Sequence, residues 1–214
     1  MFISLEGIEG SGKSTQIKHL QAYLIGKGYQ CLTTREPGGT TIGVRIREIL
    51  LDPAVDHIHP LAELLLYMAD RAQHLAEVVK PALQAQAVVL CDRYYDATMV
   101  YQGEARGLGT KQVAQLHHLT FDDLKPDMTF LLDLPPEIGL QRAWGQIESG
   151  DRTAAETRFE REQLPFHTAV REGYLKLARL EPERFWIVDA TQPEKQVRNA
   201  IVAALDGRLG RPKP

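Results

Sequence analysis

The chain has 214 residues, of which 43% are hydrophobic and 25% charged, and its net charge is −3 at pH 7. This length and composition suit one globular domain with a sizeable apolar core. A slightly acidic chain lacks the basic excess that a general nucleic-acid-binding surface needs, although a few local cations suffice for small phosphorylated ligands. We therefore expect no nucleic-acid partner.

The sequence contains no apolar run near the ~20 residues that span a bilayer, and its start lacks a charged-then-apolar signal segment. Its two cysteines, Cys31 and Cys91, lie in apolar strand-like runs. Buried free thiols of this kind are typical of cytosolic proteins. We therefore expect a cytoplasmic protein with no membrane partner.

Short apolar runs alternate with helical patterns along the whole chain. In chain order, we predict a strand at 2–5, a helix at 14–25, a strand at 30–34, helices at 42–51 and 60–86, a strand at 87–91, helices at 97–103 and 111–119, a strand at 128–133, a helix from 137, a long helix ending near 180, a strand at 185–188 and a helix at 194–205. This alternation predicts an α/β fold in three layers, with a five-stranded parallel sheet surrounded by helices.

The segment between the first strand and the first helix fits the phosphate-binding pattern G-x-x-x-x-G-K-[ST]. Its residues are Gly7, Ile8, Glu9, Gly10, Ser11, Gly12, Lys13, Ser14 and Thr15. Glycines let successive N–H groups point at an anion, and the following helix turns its positive end toward the same anion. Lys13 would reach the β- and γ-phosphates, and the Ser14 hydroxyl would bind Mg²⁺. The pattern predicts a P-loop NTPase fold that binds a nucleoside triphosphate.

Charged residues follow two of the other predicted strands. Arg35 comes after the second strand, and Asp92 and Arg93 come after the third. Ligands of parallel sheets bind at the carboxyl ends of the strands. We therefore expect these side chains and the phosphate loop to lie around one crevice.

The remaining sequence selects among the classes of protein that share this loop. A GTPase switch protein needs N-K-x-D, but the only asparagine is Asn199, which Ala200 follows. A motor or helicase-like ATPase usually has glutamate after the strand-end aspartate, whereas Arg93 follows Asp92 here. An arginine at this position favours a second bound anion. These features favour phosphoryl transfer between two small molecules, in which catalysis is mostly positioning and cationic clamping.

Four motifs then carry a specific resemblance: L-E-G-I-E-G-S-G-K-S-T at 5–15, T-R-E-P-G-G-T at 34–40, D-R-Y-Y-D-A-T-M-V-Y-Q-G at 92–103 and P-D-M-T-F-L-L-D-L-P-P-E at 126–137. A fifth, V-D-A-T-Q-P at 188–193, follows in the same order. Over nearly its full length the chain resembles the bacterial thymidylate kinase (dTMP kinase) family. The resemblance implies ATP-dependent phosphorylation of dTMP to dTDP with Mg²⁺, in dTTP biosynthesis, by a homodimer. The alternatives are another nucleoside monophosphate or nucleoside kinase, and a nucleotide-dependent regulatory ATPase.

The resemblance also implies a role for individual residues. The nine loop residues and Arg142 would bind ATP, and Ser14 and Asp92 would hold the metal. The residues implied for dTMP are Glu9, Arg35, Pro37, Tyr67, Arg71, Arg93, Thr98, Tyr101 and Gln102. Among them, Glu9 would accept a hydrogen bond from the 3′-hydroxyl and Arg93 would grip the phosphate. Tyr67 would stack on thymine at a position where the family commonly has Phe.

The catalytic cations implied are Lys13, Arg35 and Arg93, together with an arginine from a lid at about 142–162. The family's lid pattern R-x-x-x-R-G-x-x-D-R-x-E is stretched here, with Thr157 in place of an aspartate. Either Arg152 or Arg158 would supply the lid cation, since the insertion leaves the register open.

We expect residues 1–206 to form a single nucleoside monophosphate kinase domain and residues 207–214 a loose tail.

Overall fold

The computed structural model describes residues 1–55, 57–151 and 153–209. Five β-strands are present within these ranges: β1 (Phe2–Glu6), β2 (Cys31–Arg35), β3 (Val88–Asp92), β4 (Met128–Asp133) and β5 (Phe185–Asp189). The α-helices are α1 (Lys13–Gly26), α2 (Thr41–Leu51), α3 (Pro60–His74), α4 (Lys80–Gln84), α5 (Tyr95–Thr98), α6 (Thr110–Phe121), α7 (Pro136–Glu148), α8 (Leu164–Leu180) and α9 (Glu194–Asp206). Of the predicted tail, 207–209 form a turn after α9 and 210–214 lie outside the described residues.

The five strands form one parallel sheet in the order β2-β3-β1-β4-β5. Every residue of β1 is buried, and β3 and β4 are buried except at their last residues. Strands covered on both faces need apolar side chains at successive positions, which is why they appear as continuous apolar runs in the sequence. The predicted fold class, a five-stranded parallel sheet flanked by helices, is confirmed.

The strand register brings the predicted charged residues to one edge of the sheet. Arg35 pairs with Asp92 across β2 and β3, and Leu5 pairs with the same Asp92 across β1 and β3. Arg35 and Asp92 are the last residues of their strands, one position beyond the predicted ends. The phosphate loop therefore leaves β1 beside both of these side chains.

Two predicted α-helices contain wider turns. The helix predicted at 60–86 is α3, a π-helical segment at Leu75–Val79, and α4. Pro81 lies in the first turn of α4, and in a regular α-helix its ring would clash with the carbonyl four residues earlier. The wider π-turn just before the proline relieves this clash. The helix predicted at 97–103 is likewise α5 followed by a π-helical segment at Met99–Ala105.

Among the residues that the structure describes, no helix is both long and apolar enough to cross a membrane.

Helix α7 lies directly against the phosphate loop. Gly10 has a φ of +68°, and a Cβ at this position would lie 2.1 Å from the carbonyl oxygen of Gly139. In the opposite direction, a Cβ on Gly139 would lie 2.5 Å from the carbonyl oxygen of Glu9 and 2.8 Å from Cδ1 of Ile8. Backbone therefore contacts backbone at this point, and only glycine fits on either side.

We predict that Gly139→Ala lowers the free energy of unfolding by about 1–3 kcal/mol, because the new methyl group overpacks the contact with the loop. Gly145→Ala in the same helix is the matched control, since a Cβ there has no heavy atom within 4 Å. Without a clash, the control should gain about 0.5–1 kcal/mol from the better helix propensity of alanine. Urea unfolding of both variants measures the difference, and equal effects would contradict the close contact.

Candidate active site

The phosphate loop wraps around the side chain of Lys13. Nζ of Lys13 donates hydrogen bonds to the carbonyl oxygens of Gly7 (3.0 Å) and Ile8 (2.9 Å). Burial, with a contribution from the nearby Arg93 guanidinium, lowers the pKa of Lys13 to about 8. The ammonium group is thus held at the mouth of the loop, where α1 begins.

The hydroxyl of Ser14, in the first turn of α1, donates to Oδ2 of Asp92 at 2.8 Å. This contact joins the loop to the carboxyl end of β3. Both atoms are oxygens, the ligand type that Mg²⁺ prefers, and Mg²⁺ in kinases is usually held by one or two protein oxygens together with phosphates. A dedicated metal cage is not required, and the described residues contain no cluster of three or more His, Cys, Asp or Glu side chains that could hold an ion. The pair therefore fits Mg²⁺.

Arg93 and Glu9 form a nearly buried ion pair across the crevice. Nη2 of Arg93 donates to Oε1 of Glu9 at 2.9 Å, and the hydroxyl of Tyr101 donates to the same oxygen at 2.7 Å. The Arg93 guanidinium also lies 4.9 Å from the centre of the Tyr101 ring. Although burial raises the pKa of Glu9, Arg93 and then His167 hold it below its ordinary value. Glu9 is therefore a carboxylate at neutral pH.

The backbone of Arg93 is left-handed, with a φ of +67°. Its N–H donates to the carbonyl oxygen of Leu5 at 3.1 Å, so the chain turns sharply where β3 ends beside β1. Such a backbone in a residue other than glycine persists only where the surroundings hold it. The turn directs the guanidinium of Arg93 toward Glu9 and the hydroxyl of Tyr174, which accepts from Nη1 at 3.3 Å.

A second buried group of charges lies on the β2 side of the crevice. Glu36 accepts from Nε of Arg71 and from Nδ1 of His74, each at 2.8 Å. Arg71 also donates to Oγ1 of Thr98 at 2.8 Å, and Nε2 of His74 lies 2.6 Å from Oγ1 of Thr34. Burial raises the pKa of Glu36, but Arg71 and His74 lower it more, so the carboxyl group is ionised. These bonds fix Arg71 in one orientation.

One cavity joins the two charged groups. Sixteen of the predicted site residues line it: Glu9, Gly10, Ser11, Gly12, Lys13, Ser14, Thr15, Arg35, Pro37, Tyr67, Arg71, Asp92, Arg93, Thr98, Tyr101 and Gln102. Gly7 and Ile8 lie behind this surface as the carbonyl partners of Lys13. A cavity lined by five cationic side chains, one of them Lys13 of the phosphate loop, can bind a nucleoside triphosphate and a second phosphorylated molecule.

Comparison with known proteins agrees with this geometry. A family model described as "Thymidylate kinase" matches residues 5–201. The thymidylate kinase of Desulforapulum autotrophicum is 54% identical over 210 residues, which cover 98% of this chain and 92% of that protein. The thymidylate kinase of Desulfosudis oleivorans is 52% identical over 206 residues, or 96% of each chain. The chain belongs to the thymidylate kinase family.

A solved thymidylate kinase from Ehrlichia chaffeensis has the same fold. It superposes with a TM-score of 0.75 at 30% identity and covers 96% of this chain and 98% of its own. Membership of the thymidylate kinase family agrees with the resemblance found in the five motifs, and ATP-dependent phosphorylation of dTMP is the reaction that it supports.

In this member of the thymidylate kinase family, Arg142 and Arg158 of the predicted lid do not reach the cavity. Arg158 donates to the carbonyl oxygen of Leu50, and its Nη2 donates to Oε2 of Glu63 at 2.7 Å. Arg142 is exposed on α7 and donates to the carbonyl oxygen of Ala190 at 2.9 Å. Neither lines the cavity, and Arg152 lies outside the described residues. From the lid segment, the cavity is lined instead by Gln146, Glu156, Phe159 and Glu160.

Several residues that line the cavity were not predicted from the sequence. Glu36 stands inside the R-E-P-G-G motif, and its position just after a strand end was a usable signal. Arg47, on α2, donates to both carboxylate oxygens of Glu156 at 3.0 and 2.7 Å and to the carbonyl oxygen of Pro37 at 3.0 Å. A single arginine on an amphipathic helix gives no such signal, because its partners come from distant parts of the chain.

Asp70 supports the loop that carries Glu36 and Pro37. Its Oδ1 accepts from the N–H of Gly38 at 3.0 Å, whereas its buried Oδ2 has no hydrogen-bond partner in the described part of the chain. Burial, with repulsion from Glu36, raises the pKa of Asp70 to about 6. The folded protein therefore binds this proton more tightly than the unfolded chain, and ionisation of Asp70 destabilises the fold as the pH rises from about 4 to 6.

We predict that Asp70→Asn stabilises the protein at pH 7 by about 1–3 kcal/mol, because asparagine keeps the acceptor for Gly38 without the buried charge. The difference from the wild type should be smallest near pH 4, grow as the pH rises to about 6, and stay constant above that. Urea unfolding at each pH measures it. A difference independent of pH between 4 and 7 would contradict the raised pKa.

Proposed function

We propose that this member of the thymidylate kinase family transfers the γ-phosphoryl group of ATP to dTMP in the cavity between the phosphate loop and Arg93. The observation that carries this proposal is the placement of Arg93 opposite the loop, where it pairs with Glu9 at 2.9 Å. The loop serves the donor, and the strand-end arginines serve the acceptor. The two phosphate groups would then meet at the mouth of the loop.

On the donor side, the loop residues Gly7 to Thr15 surround the ATP phosphates. Arg142 is a further candidate for binding ATP, and it would have to leave the carbonyl oxygen of Ala190 to do so. Lys13 contributes the positive charge nearest to the transferred group. Ser14 and Asp92 would hold Mg²⁺, a role supported by their oxygen atoms 2.8 Å apart. When bound, the metal would offset the negative charge of the phosphates.

On the acceptor side, Arg93 and Arg35 hold the phosphate of dTMP. Guanidinium groups suit this task because their planar N–H donors match phosphate oxygens. Arg71 bonds the thymine base, Tyr67 stacks on it, and Thr98 and Gln102 lie beside it. Pro37 shapes the acceptor loop and Tyr101 lines the sugar. Glu9 accepts a hydrogen bond from the 3′-hydroxyl. This role is supported by the ionised state of the Glu9 carboxylate, although the residue is only 7% exposed.

The charge that develops on the transferred phosphoryl group needs a cation in addition to Lys13. The phosphate loop holds no arginine, so we assign this role to the lid at about 142–162. Arg152 and Arg158 are the candidates. Arg158 would have to leave Glu63 to take part, because the two side chains are paired at 2.7 Å.

A coupled assay with ATP, Mg²⁺ and a panel of dTMP, dUMP, dCMP, UMP, CMP and AMP tests the proposal. We expect dTMP to give the highest kcat/KM, and faster turnover of another acceptor would overturn the assignment. Lys13→Ala should lower kcat by at least about a hundredfold, because it removes a preorganised charge from the transition state. Arg93→Ala should mainly raise the KM for dTMP, so an unchanged KM would remove its role as the phosphate grip. Circular dichroism verifies that both variants fold.

We further propose that the chain forms a homodimer through α2 and α3. Large apolar side chains remain exposed on these adjacent helices: Ile42 (52%), Val44 (40%), Ile49 (49%), Leu61 (42%) and Leu65 (52%). An apolar patch of this kind favours association with a partner surface. A second copy of the chain is the occupant implied by the family resemblance.

Light scattering should give the mass of two chains for the wild type, and we predict that Leu65→Glu shifts the mass toward one chain. The new charge would have to be buried in the contact. Leu119→Glu is the control, because Leu119 lies on α6, outside the α2–α3 patch, and is 81% exposed. A wild type with the mass of one chain would rule out the dimer.

A further inference from the structure

The two oxygens of Glu9 have different surroundings. Oε1 accepts from Arg93 and from Tyr101, and these bonds fix one side of the carboxylate. Oε2 is buried and makes no hydrogen bond to any residue in the described ranges. An unpartnered carboxylate oxygen in the protein interior is costly, so such an atom calls for an explanation.

The nearest candidate partner is a histidine of α8. Nδ1 of His167 lies 3.3 Å from Oε2 of Glu9, and the His167 side chain is fully buried. Within the described residues, neither ring nitrogen of His167 makes a hydrogen bond. Two buried polar groups without other partners thus face each other. A shift of a few tenths of an ångström would bring them to the ordinary N–H···O distance of about 2.9 Å.

The position of His167 agrees with a contact of this kind. Helix α8 packs on the π-helical segment at Met99–Ala105, which carries Tyr101. Tyr101 and Arg93 bond one oxygen of Glu9, and His167 approaches the other oxygen. The ring of the neighbouring Phe166 lies nearly perpendicular to the imidazole, with 5.6 Å between the ring centres. The carboxylate is therefore held at Oε1, and His167 approaches it at Oε2.

We propose that His167 is a positioning residue, whose Nδ1–H holds Oε2 of Glu9 in the orientation that accepts a hydroxyl group of the acceptor sugar. The Glu9 carboxylate lines the cavity and has about four lone-pair sites, so it can accept from Arg93, Tyr101 and His167 and still accept from a ligand hydroxyl. This inference rests on the proposed role of Glu9. It adds that recognition of the hydroxyl depends on a residue that does not line the cavity.

Comparison of dTMP with 3′-deoxythymidine 5′-monophosphate, which lacks the hydroxyl, tests the inference. His167→Phe fills a similar volume without an N–H donor. We expect it to raise the KM for dTMP about tenfold, the loss typical of one hydrogen bond to a charged group, and to leave kcat nearly unchanged. The KM for the 3′-deoxy acceptor should change little, so the preference for dTMP falls about tenfold.

Two further variants separate positioning from packing. Asparagine places its amide near the position of Nδ1, whereas glutamine places its amide near Nε2. His167→Asn should therefore keep most of the wild-type preference for dTMP, and His167→Gln should lose it as His167→Phe does. If His167→Phe does not fold, the comparison of Asn with Gln still decides the question. Thr168→Ala is the control on the same helix, because the Thr168 hydroxyl donates to the carbonyl oxygen of Leu164, within the helix itself.

Equal losses on both acceptors in His167→Phe and His167→Gln would overturn the inference, because they would indicate a role in packing alone. A wild type that uses both acceptors equally well would instead remove the proposed role of Glu9, and this inference with it. The second result would leave phosphorylation of dTMP in the acceptor panel untouched, so the two failures are distinguishable.

Discussion

Buried carboxylates determine how the cations of this molecule are arranged. Glu9, Glu36 and Glu63 are each less than 10% exposed, and an isolated buried charge costs several kcal/mol. Each is therefore paired with arginine: Glu9 with Arg93, Glu36 with Arg71, and Glu63 with both Arg106 and Arg158. The first two pairs fix a guanidinium group at the cavity wall before any ligand contributes a contact.

This arrangement explains how an acidic protein can bind two acidic ligands. A guanidinium group has five N–H donors, so Arg93 can keep Glu9 as a partner and still present donors to a phosphate. The carboxylates set the direction of the arginines and also limit the net positive charge of the cavity. The pairing of Arg158 with Glu63 has the opposite effect, since it keeps that cation outside the cavity wall.

The sheet, the phosphate loop and the position of the strand-end charges could be predicted from the sequence. Each of them follows from residues that are close together along the chain or from the general geometry of parallel strands. The sequence was not sufficient for the π-helical turn before Pro81, which replaced the regular helix predicted there. Contacts between residues that are far apart in the sequence could not be predicted either. Arg47 and Glu156 are 109 residues apart, and Asp70 reaches Gly38 across 32 residues. The position of Arg158 depends in the same way on Glu63, 95 residues away.

The contact between Gly10 and Gly139 has a mechanical consequence. Side chains that lie between two elements can absorb a small movement of one of them, because their rotamers can change. No side chain separates the phosphate loop from α7 at this point, so a displacement of one backbone passes directly to the other. Helix α7 also leads into the segment that carries Glu156 and Phe159. Helix α7 therefore connects the phosphate loop, which it contacts at Gly139, to the residues after its C-terminus that line the cavity. A movement of those residues can be transmitted through the helix to the loop.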